Sequence, residues 1–411
     1  MADRKVRQRQ VFYIPGYDPI HPRRYRELYR KEGAAQAEIS GYGIKLAPKR
    51  GDGPYGWHVS ARMDGAEVET DVEVLVWSDI VRGSMPGSIL ATYLQMLRCS
   101  WTYIASGALW RLMWLRKGPV IAALYPVGML LLQLGIALGL GAVAGRLGQG
   151  ALGLVLDSAA AGIALRLVLL AGVAVAVLRW FKARDNRFFA YYLMHDYAYS
   201  AHWNGANPPE LEARMSAFAD RIAGALAGGA DEVLVVGHSS GAHLGVSILA
   251  DLIRQGRVPA NGPVLSFLSL GQVVPMVSFL PEAHRLRADL AYLSTRKELT
   301  WVDVTAPGDG CAFALCDPVA VSGVAPRGQR WPLVFSAAFT QTLSPERWKA
   351  LRWRFFRLHF QYLCAFDRPR DYDYFRITAG PLTLGARYAG RGHSKSRITR
   401  AASKYTSQQA A

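Results

Sequence analysis

In a chain of 411 residues, positions 231–250 constrain the fold most. Asp231-Glu232-Val233-Leu234-Val235-Val236 is an apolar, β-branched run that is cut by Gly237-His238-Ser239-Ser240-Gly241, after which apolar residues resume at helical spacing from 242 to 255. A run of the first kind suits a strand covered on both faces, and such strands belong to parallel sheets flanked by helices. Between strand and helix the chain must turn sharply. Gly237 and Gly241 carry no side chains to keep the two elements apart, so the serine between them can sit in a strained turn with its hydroxyl exposed. The five-residue pattern alone is a weak signal; its position between strand and helix gives it meaning.

The rest of the chain repeats the alternation. A short strand is predicted over 11–14, ending in Pro15-Gly16-Tyr17-Asp18, with a basic helix from about Pro22. Residues 39–46 and 57–63 read as a hairpin across the Gly- and Pro-containing loop 51–56, and 72–77 as the next strand. Residues 88–117 read as helical and aromatic, with Trp101, Trp110 and Trp114 near basic residues, where they suit either a membrane interface or a helix packed on protein; 210–226 reads as a helix ended by Gly228 and Gly229. Strands are predicted over 263–270, 300–304 and 332–339, with a helix over 281–295. The pattern is that of an α/β protein with a mostly parallel sheet, helices on its faces and an antiparallel hairpin at one edge.

Two apolar segments interrupt it. Residues 119–145 contain no charged side chain, enough helix at 1.5 Å per residue to cross about 30 Å of hydrocarbon. Residues 152–178 are interrupted only by Asp157 and Arg166. Arg111, Arg116 and Lys117 precede the pair and Arg179, Lys182, Arg184 and Arg187 follow it, while the connector holds only Arg146, so both outer ends are expected in the cytoplasm. Gly135, Gly139, Gly141 and Gly145 offer two small-xxx-small pairs for close helix approach. The competing reading is a hydrophobic hairpin packed inside a soluble cap. The formal charge of +17 fits nucleic acid or an anionic membrane surface, and the apolar pair favours the membrane. Arg4, Lys5, Arg7 and Arg9 lead into a strand-like segment instead of a signal-peptide core, and the tail 389–411 is basic without a carboxylate side chain, which reads as a solvated tail or, alternatively, as one in contact with anionic lipid. The cysteines Cys99, Cys311, Cys316 and Cys364 show neither zinc spacing nor a disulfide framework, so reduced thiols facing the cytosol are expected.

A serine hydroxyl needs a base to take its proton and a carboxylate to orient that base. With Gly237-His238-Ser239-Ser240-Gly241, the early Ile14-Pro15-Gly16-Tyr17 loop and the order Ser, Asp, His downstream, the chain resembles the α/β-hydrolase superfamily over roughly residues 11–80 and 200–375. The resemblance implies a serine hydrolase fold with Ser239 as nucleophile. It implies an acid after a strand beyond the elbow, where Asp309 is the first candidate and Asp317 and Asp303 are alternatives. It implies a base after the last strand, where His359 sits in an aromatic context and His393 in the basic tail. By the same resemblance the oxyanion donors are the backbone N–H groups of Ser240 and Tyr17; this loop lacks the family's usual His-Gly pair. His238 is expected to support the elbow, and His243 to pack.

The domains implied are the N-terminal part of the hydrolase (1–87), a membrane insertion (88–187) with spans at about 119–145 and 152–178, the C-terminal part with the elbow (188–375), and a basic, flexible tail (376–411). The expected protein is an α/β-hydrolase-like enzyme with an inserted transmembrane hairpin, integral to a bacterial-type inner membrane or its equivalent, its catalytic domain cytoplasmic. It would cleave an ester, of a lipid or another acyl compound, with no cofactor, no metal and no nucleic-acid partner; membrane lipids and the acyl ester are its expected partners. The alternative is a catalytically silent hydrolase fold serving as a membrane binding or scaffolding module.

Overall fold

Eight strands form one mixed sheet: β1 (Gln8–Ile14), β2 (Gly43–Pro48), β3 (Gly56–Met63), β4 (Ala66–Val74), β5 (Glu232–His238), β6 (Val264–Leu270), β7 (Leu299–Thr305) and β8 (Leu333–Ser336), in the order β2-β3-β4-β1-β5-β6-β7-β8. Only β3 runs against the others. The computed structural model describes residues 5–49, 53–85 and 87–409; Arg4 and the first residues of the loop predicted at 51–56 lie outside these. The α/β class, the mostly parallel sheet and its antiparallel edge agree with the sequence pattern.

β5 is buried at every residue, between β1 and β6. That explains its unbroken apolar run. Its one carboxylate, Glu232, accepts from Arg9 Nε at 2.7 Å, Ser266 Oγ at 2.7 Å and the Leu384 N–H at 2.7 Å, so Arg9 belongs to a buried pair inside the sheet and not to an exposed basic flank. The predicted hairpin is displaced at its start: Ile39 ends a helix (Arg23–Ser40), and β2 begins only at Gly43. β4 starts six residues before the predicted strand because Asp64 and Gly65, both at positive φ (52° and 75°), make a two-residue hairpin turn back from β3, and the alternating Glu67, Glu69 and Asp71 hide the strand from a search for apolar runs.

The chain divides into two compact units. One comprises Met1–Gly83, Tyr103–Pro119 and Trp203–Ala411 and contains the sheet; the other comprises Ser84–Thr102 and Val120–His202. The helical unit thus extends to residue 202, past the predicted limit at 187. Tyr103–Pro119, predicted within the insertion, packs with the sheet, where the Tyr103 hydroxyl donates to the Met276 carbonyl at 2.9 Å.

Residues 376–409 are laid against the sheet unit instead of forming a separate tail. Helices Tyr374–Ala379 and Leu384–Arg387 are followed by an extended segment in which Ser394 N–H donates to Val334 O, Ile398 N–H to Leu315 O and Ala402 N–H to Val321 O. This segment covers β8, the otherwise open edge.

In the helical unit, helices Lys117–Gly153 and Ala159–Ala183 are both long and apolar enough to cross a membrane. The first continues through Arg146, so the turn between them is shorter than predicted, and Ser158 caps the second by accepting from the Ala161 N–H. They pair antiparallel. A Cβ on Gly141 would lie 2.6 Å from Leu170 O, and one on Gly145 2.7 Å from Arg166 O. Gly135 and Gly139 meet nothing within 4 Å, so only the second of the two predicted glycine pairs forms the seam.

Candidate active site

The parallel register brings the strand ends to one edge. Ile14 pairs with Gly237, His238 with Leu270, and Leu270 with Val304, so the loops that follow β1, β5, β6 and β7 emerge side by side. Ligand sites in open α/β sheets lie at this carboxyl edge.

Ser239 directly follows β5 and precedes the helix Gly241–Arg254. Its φ is +57°, a conformation that costs a non-glycine residue free energy and is held only where its surroundings enforce it. The enforcement is visible. A Cβ on Gly237 would lie 2.5 Å from Gly241 O, and one on Gly241 2.1 Å from Ile14 O, while Ser239 N–H donates to Leu270 O at 2.9 Å. Strand, turn and helix close to a distance that only glycine at both positions permits. Gly16 lies against the serine, with a Cβ there 3.0 Å from Ser239 Cβ and 3.4 Å from its Oγ. Trp77 Nε1–H, donating to Pro15 O at 3.0 Å, fixes that loop. Ser240 caps the helix with its N–H unpaired among the described residues, and Tyr17 is buried, its ring edge-on to Trp77.

Asp309 and His359 meet. His359 Nδ1 is 2.8 Å from Asp309 Oδ2, both side chains being nearly inaccessible. An ionised Asp309 keeps the proton on Nδ1 and leaves Nε2 as acceptor. Burial alone would raise the Asp309 pKa, but the neighbouring His359, its hydrogen bond, the Cys311 N–H at 2.9 Å and the Tyr362 hydroxyl outweigh burial and hold the carboxyl below its ordinary range. The imidazole lies beside the serine turn: a Cβ on Gly271, the residue after the acceptor of the Ser239 N–H, would be 3.0 Å from His359 Cε1. No hydrogen bond joins Ser239 Oγ to His359 among the described residues. In resting enzymes this contact is often long and tightens with substrate.

The alternatives lie elsewhere. Asp303 is buried in β7, accepts from Ser269 Oγ at 2.6 Å and has its pKa pushed up to about 8 by burial. Asp317 caps the short helix Pro318–Val321 through the N–H groups of Val319 and Ala320. His393 Nδ1 accepts the Val334 N–H at 3.1 Å on the sheet edge. His238, neutral because burial lowers its pKa to about 3, donates from Nε2 to the His359 carbonyl at 3.0 Å and so holds the His359 backbone. His243 is buried in the helix after the turn.

Sequence reasoning missed Tyr362. Its hydroxyl donates to Asp309 Oδ2 at 2.9 Å and accepts the Ala306 N–H at 3.0 Å, holding the carboxylate oxygen that the Cys311 N–H does not. The spacing His359-x-x-Tyr362, about one helical turn, was the available signal. Gly271, at φ +53°, admits both rings and left no such signal. Asp309, Cys311 and His359 each bring one donor atom within 4.8 Å of the others, the one group of metal-ligating type among the described residues, and the Asp309–His359 hydrogen bond already occupies two of its members.

No protein-family model matches the chain, and no curated protein and no solved structure matches it either.

Proposed function

We propose that this protein is a membrane-anchored serine hydrolase whose cytoplasmic site cleaves an ester of a lipid or other acyl compound, in an α/β-hydrolase-like fold with a transmembrane hairpin inserted between its halves. The observation that carries the reading is the buried Asp309–His359 hydrogen bond at the same sheet edge as a serine held at φ +57°. Ser239 Oγ attacks the acyl carbonyl carbon while His359 Nε2 takes its proton, and Asp309 holds the resulting imidazolium. The N–H groups of Ser240 and Tyr17 receive the developing oxyanion. His359 then protonates the leaving alkoxide, and water activated by the same imidazole cleaves the acyl-enzyme. The two long apolar helices support the anchor, and an apolar acyl substrate accords with a membrane setting.

Fluorophosphonate labelling of purified membranes tests the chemistry. Wild type is expected to label covalently and Ser239→Ala is not. Absence of labelling in folded wild type would favour the silent binding module. Among substrates, long-chain esters are expected to turn over faster than short soluble ones in detergent; equal rates would remove the lipid preference.

A further inference from the structure

The short helix Ala108–Leu115 buries Ala108, Leu112 and Leu115 on one side and leaves Trp110 and Trp114 on the other, 67% and 62% exposed. Two tryptophans one turn apart and mostly uncovered are an unusual expense of apolar surface. Around them lies positive charge. Arg400 stacks over the Trp114 ring, 3.3 Å from its centroid, and Arg111 donates to the Ala402 carbonyl at 3.1 Å, tying the helix to the C-terminal segment. Trp110, Arg111, Trp114 and Lys404 line one open depression of about 580 Å³. Among the described residues no carboxylate pairs with Arg111, Arg400 or Lys404, although Arg391 and Arg397 of the same segment reach Asp371 and Asp317. The chain leaves this helix at Arg116, anchored to the Ala314 carbonyl at 2.9 Å, and begins its long apolar helix at Lys117.

We infer that this face binds the phosphate headgroup of an anionic phospholipid. Three cations without an internal counter-ion call for an external anion. Direct continuity with a helix long and apolar enough to span a membrane puts that anion at the boundary between water and hydrocarbon, where tryptophan rings partition and where juxtamembrane basic residues meet anionic lipid. The C-terminal segment, basic and without a carboxylate side chain from 389 on, is therefore one half of a lipid site and not a solvated tail. The inference rests on the membrane insertion in the reading above and is independent of its chemistry.

The test uses the full chain in nanodiscs of equimolar phosphatidylcholine and phosphatidylglycerol, with bromine on the acyl chains of one lipid or the other. Composition is then constant, and tryptophan quenching reports which lipid is enriched at the protein. Brominated phosphatidylglycerol is expected to quench more strongly. Trp110→Phe/Trp114→Phe should abolish that difference, and Arg400→Gln/Lys404→Gln should weaken the preference by roughly twenty- to thirtyfold, at about fivefold per juxtamembrane charge, so that the two lipids quench alike. Equal quenching in wild type, or a preference that survives loss of both basic side chains, overturns the inference; so does a face that RNA protects while lipid identity makes no difference. Resistance to carbonate extraction tests the insertion separately, and Ser239 labelling tests the chemistry separately.

Discussion

Leu234 and Leu132 both sit in strongly apolar segments, yet Leu234 in β5 has no exposed surface and Leu132 in the first long helix is 56% exposed. In the sheet unit, apolar residues are covered by the protein itself, and the buried carboxylate among them in β5, Glu232, is paired with Arg9. In the helical unit the two long helices cover each other along a narrow glycine seam and leave Leu131, Leu140, Val143, Leu167 and Val168 uncovered. The difference teaches that composition alone does not distinguish a covered core from an apolar face left open; the width of the packed seam does.

The sharpest break of that comparison is a methyl group on a glycine of each unit. Gly241→Ala puts a Cβ 2.1 Å from the Ile14 carbonyl oxygen, a backbone atom that cannot step aside, and is expected to cost about 4 kcal/mol or more and deplete folded protein. Gly139→Ala meets nothing within 4 Å and is expected to leave yield and melting temperature unchanged or slightly raised. Comparable losses in both would mean that the helical unit is packed as tightly as the sheet.

A smaller effect separates the two solvents. Leu132→Lys places a charge on an exposed position, which in a water-facing helix costs almost nothing and in hydrocarbon about 2.5–3.5 kcal/mol. Reduced membrane integration of the variant, read by carbonate extraction, is the expected outcome. Full integration and unchanged stability would return the pair to the soluble-cap reading.

The sheet unit was legible where local chemistry is strict. The Gly-x-Ser-x-Gly turn and the strand before it follow from residue types with few other uses, whereas Asp309 and His359 were singled out among alternatives only by the resemblance. β4 was half hidden because its first residues alternate Glu, Glu and Asp, and the hairpin began late because Ile39, the apolar residue at its predicted start, belongs to the last turn of a helix. The fate of the basic tail was not legible. Its contacts to Leu315 and Val321 join backbone groups, which carry no sequence signal, and the side chains that add to them, His393 on Val334 N–H and Ser394 on Ser336 N–H, bind backbone partners that no residue type announces. Tyr362 escaped for a related reason: a tyrosine in an aromatic stretch is read as packing, and only a neighbouring carboxylate turns its hydroxyl to another use.

The smallest expected effect concerns that hydroxyl and sharpens the comparison within the sheet unit itself. Tyr362→Phe leaves the Ala306 N–H unpaired and removes one donor from Asp309 Oδ2, while Tyr372→Phe removes a hydroxyl that donates to the Tyr362 carbonyl at 2.7 Å. Each should lower stability by about 1–1.5 kcal/mol, and on that measure the two are equivalent. They part in pH dependence. Asp309 has a depressed carboxyl pKa, so its contribution is present above the ordinary carboxylate range and is lost as pH falls through the folded value. Without the Tyr362 hydroxyl that value rises, and the acid limb of the stability profile, followed by chemical denaturation at each pH, should move to higher pH. In Tyr372→Phe the limb should stay where it is. Equal limbs in the two variants would reduce Tyr362 to a packing residue, since a brace on the acid must change when the acid loses its proton and a packing contact need not.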